Sequence, residues 1–261
     1  MSILYWVILF CLFIGIFSVI AAAIFLLVPE RWRQHLLPHL ISFAIGTLLG
    51  AAFLALLPHA LEISGVKGFH RITMTVLVGL LGFFLLEKMV LWRHCHHDHC
   101  EAHHVREDVR KHDGVAAPLI LLGDAVHNLI HGVLIAAAFL VDIDLGIVTS
   151  LAVLAHQVPQ ELSNFAVLLH SGYRRSQALM MNITSSLTAP VGGVLGYYGL
   201  AGAESVMPYM LAIAVASCIY IAVADLIPDL HKRTHIQATI QQMLLILAGV
   251  GVIHLSHMTL H

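Results

Sequence analysis

Two short polar stretches interrupt long apolar segments of the chain. The first, at 124–132, contains His127 and His131; the second, at 156–161, begins with His156. Ionisable side chains are costly inside a bilayer, and those that occur there commonly have a function. Residues four apart lie on one face of a helix, so the imidazoles of His127 and His131 face the same way.

The second stretch repeats this spacing. His156 and Gln160 are four residues apart, and Gln157 and Glu161 form a parallel stripe beside them. Two such helices placed side by side could present three imidazoles and an amide oxygen to one cation. This donor set suits a borderline-soft divalent metal, so the pattern predicts a metal site inside a membrane. Asp124, one turn before His127, is a natural hydrogen-bond acceptor or gate acid for such a site.

The composition is that of a membrane protein. Of the 261 residues, 59% are hydrophobic and 11% are charged, whereas roughly 25% are charged in a typical soluble domain. The mean hydropathy is +0.88. The 20 histidines outnumber the 13 lysines and arginines together, and no basic patch favours nucleic acid as a partner. The four cysteines do not form the disulfide framework of a small secreted domain.

Eight apolar segments are long enough to cross a hydrocarbon core of roughly 30 Å. None alternates with the period of two that a membrane β-barrel requires, so the segments are predicted to be helices. The sequence therefore predicts an all-α integral membrane protein with a single transmembrane domain over residues 1–261. We number the predicted spans 1 to 8 in chain order, near residues 3–28, 36–61, 71–92, 116–140, 145–170, 176–200, 207–228 and 236–260.

Basic residues are concentrated on one side of the predicted membrane. Eleven of the thirteen lysines and arginines follow or end spans 1, 3, 5 and 7, whereas only Lys67 and Arg71 lie on the other side. By the positive-inside rule, the loops after the odd-numbered spans are cytoplasmic, and both termini lie outside or in the periplasm. The expected location is the inner or plasma membrane of the cell, which the chain crosses several times.

The hydrophilic loop 93–115, after span 3, is rich in metal-binding side chains. Thiols on the reducing cytoplasmic face should stay reduced, so the loop is predicted to capture metal rather than to form a disulfide. The alternative is a disordered polar linker. The residues predicted to capture metal are His94, Cys95, His96, His97, His99, Cys100, His103 and His104.

Prolines mark a similarity between spans 2 and 7. Leu-Leu-Pro58-His59 near the end of span 2 resembles Leu-Ile-Pro228-Asp229 near the end of span 7, although the two spans cross in opposite directions. This similarity predicts an inverted repeat of spans 1–3 and 6–8 around spans 4 and 5. Such repeats, with interrupted helices around a site in the middle of the membrane, are typical of transporters.

Three phrases resemble the ZIP (Zrt-, Irt-like protein) family of metal transporters. They are His127-Asn128-x-x-His131-Gly132 in span 4, His156-Gln157-x-Pro159-Gln160-Glu161 in span 5, and Tyr220-Ile-Ala-Val-Ala-Asp225-Leu-Ile-Pro228 in span 7. The likeness is greatest to the LIV-1-like branch, whose span 5 reads His-Glu-x-Pro-His-Glu, and a prokaryotic member is expected. The resemblance implies movement of Zn²⁺, and of metals such as Cd²⁺, Fe²⁺, Co²⁺ or Ni²⁺, into the cytoplasm. It also implies an elevator-like shift of spans 1, 4, 5 and 6 against spans 2, 3, 7 and 8.

The resemblance further implies two adjacent metal sites between spans 4 and 5. Four side chains would form the first site: His127, His131, His156 and Gln160. Three would form the second, with His131 as a bridge: Asn128, Gln157 and Glu161. Three more would support the ligands or gate the site: Asp124, Asn182 and Ser186.

The chain departs from the family pattern at several of these positions. The family usually has an acid at the position of His131 and often a glutamate at that of Gln157. His or Glu usually stands at Gln160, and Gly-Asp at Ser163-Asn164. Imidazole and amides therefore replace carboxylates, which suits Zn²⁺, Cu²⁺, Ni²⁺ or Co²⁺ better than the harder Mn²⁺. We expect a site that favours Zn²⁺ and accepts Mn²⁺ and Fe²⁺ poorly.

Two other functions fit part of the pattern. A membrane-embedded metal hydrolase also gathers histidines and acids between helices, with metal-bound water as the nucleophile. However, the chain has no His-Glu-x-x-His, and Glu161 is the only acid near these histidines in span 5. A non-transporting metal sensor is the second alternative. The expected partners are a divalent metal ion and the lipid bilayer, and the sequence leaves a homodimer open.

Overall fold

The computed structural model of the protein describes residues 2–25, 27–92, 116–170, 172–231 and 235–260. Every regular element in these ranges is a helix. The predicted all-α class is therefore confirmed. The histidine-rich loop 93–115 lies outside the described residues, so metal capture by this loop stays a prediction.

The helices occupy all eight predicted spans. Spans 1, 3, 4, 5 and 8 are one helix each, at Ile3–Phe25, Phe69–Trp92, Ala116–Val141, Ile143–His170 and Ile236–Leu260. Span 6 is a pair of helices, Arg175–Ser186 and Thr188–Leu200. Span 2 has three consecutive segments, Glu30–Gly50, Ala51–Leu56 and Leu57–Ser64. Span 7 also has three, Met207–Tyr220, Ile221–Leu226 and Ile227–Leu230.

Seven of the spans in the described part of the chain are long and apolar enough to cross a membrane. Span 5 is not one of the seven because polar side chains such as His156, Gln157 and Glu161 lower its mean hydropathy. With 28 residues it is still about 42 Å long, which exceeds the hydrocarbon thickness. Span 5 packs against spans 1, 2 and 4, and these neighbours shield its polar face from lipid.

Proline and glycine set the bounds of spans 1 and 2. Span 1 ends at Phe25, three residues before the predicted bound, and Pro29 follows with an extended backbone (φ −52°, ψ 141°) as the N-cap of span 2. A proline disfavours helical backbone at the residue before it, so the helix of span 1 does not continue through Val28 to Pro29. Span 2 ends at Gly65, whose φ of 63° a residue without Cβ adopts with little strain.

Spans related by the predicted inverted repeat make equivalent contacts. The predicted repeat relates span 1 to span 6, span 2 to span 7 and span 3 to span 8. If the same symmetry extends to the two spans between them, span 4 is equivalent to span 5. In the structure, span 2 packs along span 8, and the equivalent spans 7 and 3 pack along each other. Span 4 packs along span 6, and the equivalent spans 5 and 1 do the same. The packing therefore agrees with the repeat.

Spans 2 and 7 also share an interruption of their backbone. Each contains six residues of wider π-helical winding, Ala51–Leu56 in one and Ile221–Leu226 in the other. A short α-helix follows in each, with Pro58 or Pro228 in its first turn. Proline is tolerated there because the first N–H groups of a helix lack partners in that helix. The similarity of the two proline phrases thus extends to the backbone.

Glycines bring span 4 close to span 6 beside the polar stretches. A Cβ atom at Gly132 would overlap the carbonyl oxygen of Ala189, and one at Gly192 would overlap that of Leu129. Small residues allow helix backbones to approach in this way inside a membrane. The close contact fixes span 4 against span 6 at the residue next to His131.

The largest apolar core lies between spans 2, 4, 5 and 7. Much of it consists of alanine, including Ala52, Ala138, Ala152 and Ala214, which are fully or almost fully buried. Large apolar side chains are exposed along spans 3 and 8 instead. Exposed apolar surface of this extent suits contact with lipid, so spans 3 and 8 lie at the outside of the helix bundle.

Candidate metal centre

Three histidines from two spans meet in the interior of the protein. Nε2 of His131 lies 2.8 Å from Nε2 of His127, one turn earlier in span 4, and 3.2 Å from Nε2 of His156 in span 5. Ligand atoms of the three imidazoles all lie within 4.8 Å of one another. His131 and His156 are buried and His127 is half-buried. We call His127, His131 and His156 the histidine triad.

The backbone orients one ring of the histidine triad. Nδ1 of His156 lies 3.1 Å from the carbonyl oxygen of Ala152, one turn earlier in span 5. A carbonyl can only accept a hydrogen bond, so Nδ1 carries the proton and the lone pair is on Nε2. Nε2 is the atom that faces His131, and the ring is therefore held in the tautomer that binds a metal through this nitrogen.

Two Nε2 separations within the histidine triad are close to those expected for ligands on one small cation. Zinc binds imidazole nitrogen at about 2.0–2.1 Å in a tetrahedral arrangement, which places two such nitrogens roughly 3.3 Å apart. The Nε2 separations of 2.8 Å and 3.2 Å are close to that value. A divalent ion at the centre could thus contact all three rings after small movements and keep its fourth position for an exchangeable ligand.

Gln160, the predicted fourth ligand of the first site, contacts Asp124. Its amide nitrogen Nε2 donates a hydrogen bond of 3.2 Å to Oδ1 of Asp124. The side chain is half-buried. Gln160 therefore lies at the edge of the polar interior, and its role as a fourth ligand stays a prediction.

Asp124 accepts four hydrogen bonds. The residue is 4% exposed. Oδ1 accepts from Nδ2 of Asn164 at 2.8 Å and from Nε2 of Gln160 at 3.2 Å. Oδ2 accepts from Oγ of Ser185 at 2.5 Å and from Nδ2 of Asn128 at 3.1 Å. Because an ionised carboxylate has about four acceptor positions, these donors fill it. These hydrogen bonds connect spans 4, 5 and 6, and the role of Asp124 at a metal site stays a prediction.

The three residues predicted for a second metal site also lie together. Nε2 of Gln157 donates to Oδ1 of Asn128 at 2.7 Å and to Oε1 of Glu161 at 3.2 Å. Asn128, Gln157 and Glu161 are all buried. Two hydrogen bonds thus join the three side chains, and some of their oxygens take no part in these bonds.

Span 6 closes this group on one side. Oγ of Ser186 donates to Oε1 of Glu161 at 2.9 Å, and Nδ2 of Asn182 donates to the backbone oxygen of Glu161 at 3.4 Å. Asn182 and Ser186, predicted to support the ligands or gate the site, thus contact Glu161. Three buried oxygens of this group have no hydrogen-bond partner among the described residues: Oε1 of Gln157, Oε2 of Glu161 and Oδ1 of Asn182.

Asn164 and Ser185 belong to this network but not to the predicted site. Asn164 is four residues after Gln160 and continues the polar face of span 5, so helical spacing could have identified it. The sequence does not single out Ser185 as a partner of Asp124, because serine is common at helix interfaces in membranes. Its hydrogen bond to Asp124 depends on how span 6 faces span 4.

Comparison with known proteins identifies the family of this chain. The family model described as the ZIP zinc transporter matches residues 2–114 and 93–257, which is nearly the whole chain. The chain belongs to the ZIP zinc transporter family. ZIP proteins are transporters, so the hydrolase alternative is not supported.

Several curated ZIP proteins are similar over most of the chain. Zinc transporter ZIP13 of Pongo abelii is 32% identical over 243 residues, covering 85% of this chain and 67% of the relative. Zinc transporter ZIP13 of Danio rerio is 31% identical over 267 residues, covering 84% of this chain and 75% of the relative. Human zinc transporter ZIP4 is 40% identical over 114 residues, which is 44% of this chain and 18% of that protein.

Proposed function

We propose that this ZIP protein transports Zn²⁺ into the cytoplasm through the histidine triad. The observation that supports this proposal most strongly is the meeting of three imidazoles from two membrane spans, with ligand atoms within 4.8 Å. Three protein ligands with an open fourth position are typical of zinc sites that exchange a ligand. A transported ion needs such a position, because it must lose and regain water when it enters and leaves.

The donor set defines the proposed range of metals. Imidazole nitrogen binds Zn²⁺, Co²⁺ and Ni²⁺ well, and the softer Cd²⁺ is a further substrate of this kind of site. Mn²⁺ prefers carboxylate and carbonyl oxygen. The carboxylate of Asp124 is filled by hydrogen bonds from four side chains. The proposed site therefore accepts Fe²⁺ and Mn²⁺ less readily than Zn²⁺.

The proposed orientation follows from the basic residues. Spans 1, 3, 5 and 7 end on the side that carries eleven of the thirteen lysines and arginines. This side is the cytoplasmic one by the positive-inside rule. Both termini then lie outside an inner or plasma membrane. The loop 93–115 lies in the cytoplasm, where it could receive the transported ion.

The proposed motion is a shift of one group of spans against the other. Hydrogen bonds of Asp124, Gln157 and Glu161 connect spans 4, 5 and 6, and span 1 packs along spans 5 and 6. In the other group, the hydroxyl of Tyr220 in span 7 donates to the carboxylate of Glu87 in span 3.

The contact between the two groups favours such a shift. The core between spans 2 and 7 on one side and spans 4 and 5 on the other is rich in alanine. Small apolar side chains can slide past one another without breaking hydrogen bonds. The histidine triad would move with spans 4 and 5, so the bound ion would change sides together with its ligands.

Zinc uptake by proteoliposomes tests this proposal. The purified protein should admit Zn²⁺, and His156→Ala should abolish most of the uptake because one of three nitrogen ligands is lost. His254→Ala is the matched control, since His254 is exposed on span 8 and away from the histidine triad. Failure of the unsubstituted protein to move Zn²⁺, or normal uptake by His156→Ala, would contradict the proposal.

A further inference from the structure

A continuous chain of side-chain hydrogen bonds leads from Asp124 through Asn128 and Gln157 to Glu161. Nδ2 of Asn128 donates to Asp124 at 3.1 Å, and Oδ1 of the same amide accepts from Nε2 of Gln157 at 2.7 Å. Nε2 of Gln157 also donates to Oε1 of Glu161 at 3.2 Å. One amide nitrogen therefore stands between two buried oxygens that a second cation would use.

We propose that the amide nitrogen of Gln157 closes the second metal site, so that the protein carries a single ion at its histidine triad. This inference rests on the proposed transport function and specifies how many ions the centre holds. Gln157 is then a residue that determines stoichiometry and metal specificity without binding the transported ion.

Asp124 sets the orientation of the Asn128 and Gln157 amides in this chain of hydrogen bonds. An ionised carboxylate accepts hydrogen bonds and donates none. Asn128 must therefore turn its NH₂ group towards Asp124, and its oxygen then faces Gln157. A reversed amide at Gln157 would bring two carbonyl oxygens within 2.7 Å of each other, which is repulsive. The positions of oxygen and nitrogen thus follow from the chemistry of the partners, although the two atoms have similar shapes.

The amide nitrogen of Gln157 cannot replace an oxygen ligand. Its lone pair is delocalised into the carbonyl group, and its two N–H bonds point at Asn128 and Glu161. Oγ of Ser186 donates a further hydrogen bond of 2.9 Å to Oε1 of Glu161. A cation between these oxygens would meet hydrogen atoms with partial positive charge. To bind there it would have to break the chain of hydrogen bonds that Asp124 orients.

Three unpartnered oxygens lie beside this chain of hydrogen bonds. They define the alternative to a closed second site, in which these oxygens bind a second cation. They are Oε1 of Gln157, Oε2 of Glu161 and Oδ1 of Asn182. The first two belong to groups whose other polar atom is already held by hydrogen bonds. A cation bound by these oxygens would depend on Asn182 and would exclude Asn128. Substitution of Asn182 therefore distinguishes this arrangement from the closed site.

The experiment counts bound Cd²⁺ and Zn²⁺ by equilibrium dialysis of the full-length protein in detergent. The histidines and cysteines of the loop 93–115 are replaced by serine so that ions bound by this loop are not counted. The proposal predicts one ion per chain. Gln157→Glu should bind two, because a carboxylate replaces the two N–H donors, and its uptake of Mn²⁺ relative to Zn²⁺ should increase several-fold. Gln241→Glu, the same exchange at an exposed position of span 8, should stay at one ion.

Two results would overturn the proposal while leaving the transport function intact. One is two ions per chain before any change at Gln157; loss of the second ion in Asn182→Ala would then assign it to the unpartnered oxygens. The other is one ion and an unchanged Mn²⁺ to Zn²⁺ ratio in Gln157→Glu. The count before substitution decides the matter even if Gln157→Glu does not fold. Absence of Zn²⁺ uptake by the unsubstituted protein would instead contradict the proposed function.

Discussion

Nε2 of His131 and Nε2 of His156 lie 3.2 Å apart although the two residues belong to different spans. This contact places the polar stretches of spans 4 and 5 at the same depth in the helix bundle. The residue after His131 fixes span 4 on its other side, because Gly132 allows span 4 to approach span 6 at Ala189. The proposed transport site is thus held by backbone contacts as well as by its own side chains.

Gly132→Ala should weaken both the fold and Zn²⁺ uptake. The added methyl group would overlap the carbonyl oxygen of Ala189, and insertion into a packed interface costs about 1–3 kcal/mol. The measurements are thermal unfolding in detergent and initial rates of uptake. Gly82→Ala is the control, because a Cβ atom at Gly82 in span 3 would meet open space. Equal effects of the two substitutions would count against this account of the interface.

Asp124→Asn should destabilise the protein. An amide in this place presents an NH₂ group to side chains that donate, so at least one buried donor loses its acceptor, at a cost of about 1–3 kcal/mol. We expect a lower unfolding temperature and slower Zn²⁺ uptake.

Asp142→Asn is the matched control for this change. Oδ1 of Asp142 accepts from the backbone nitrogens of Asp144 and Leu145 at the start of span 5. Asparagine serves this capping role as well as aspartate does, so little change is expected. An Asp124→Asn variant as stable as the Asp142→Asn variant would show that the four hydrogen bonds do not matter.

Acid should inhibit Zn²⁺ binding. Protons and the metal compete for the same Nε2 lone pairs, and only the neutral imidazole is a ligand. Affinity is therefore expected to decrease as the pH is lowered. Dissociation constants measured between pH 5.5 and 8, in protein whose loop histidines and cysteines are serine, test the direction. Affinity that rises on acidification is the opposite of what we expect.

Uptake should favour Zn²⁺ over Mn²⁺. The affinity of a site with three imidazole donors differs between divalent metals and is lowest for Mn²⁺. Competition of each metal with labelled Zn²⁺ in proteoliposomes measures the ranking. Cd²⁺, Co²⁺ and Ni²⁺ should compete, whereas comparable uptake of Mn²⁺ and Zn²⁺ would be inconsistent with a site dominated by nitrogen.

Sequence spacing predicted much of this architecture for physical reasons. Long, mostly apolar segments indicated the eight spans, because a helix needs about twenty residues to cross the hydrocarbon core. Span 5 was among them although its polar side chains lower its mean hydropathy. Helical periodicity placed His127 and His131 on one face. The polar stretch in the otherwise apolar span 5 indicated His156 as the third ligand. The similar proline phrases around Pro58 and Pro228 indicated the repeat that the packing of the spans now supports.

Other features could not be predicted because they depend on how helices face one another. The partners of Asp124 come from three spans, and the contribution of Ser185 is decided by the rotation of span 6. The direction of the hydrogen bonds from Asn128 through Gln157 depends on that same carboxylate. The π-helical segments of spans 2 and 7 widen the backbone without changing hydropathy, so composition gives no sign of them.

The most direct test of the central claim is the visible absorption spectrum of bound Co²⁺. Four-coordinate Co²⁺ absorbs far more strongly in the visible than the hydrated ion, so a site with three imidazoles is detected by its d–d bands. Full-length protein with serine at the loop histidines and cysteines should bind one Co²⁺ with these bands, and Zn²⁺ should displace it. His131→Ala should abolish the bands, and His254→Ala should keep them. Bands that persist in His131→Ala would contradict a metal centre built on the histidine triad.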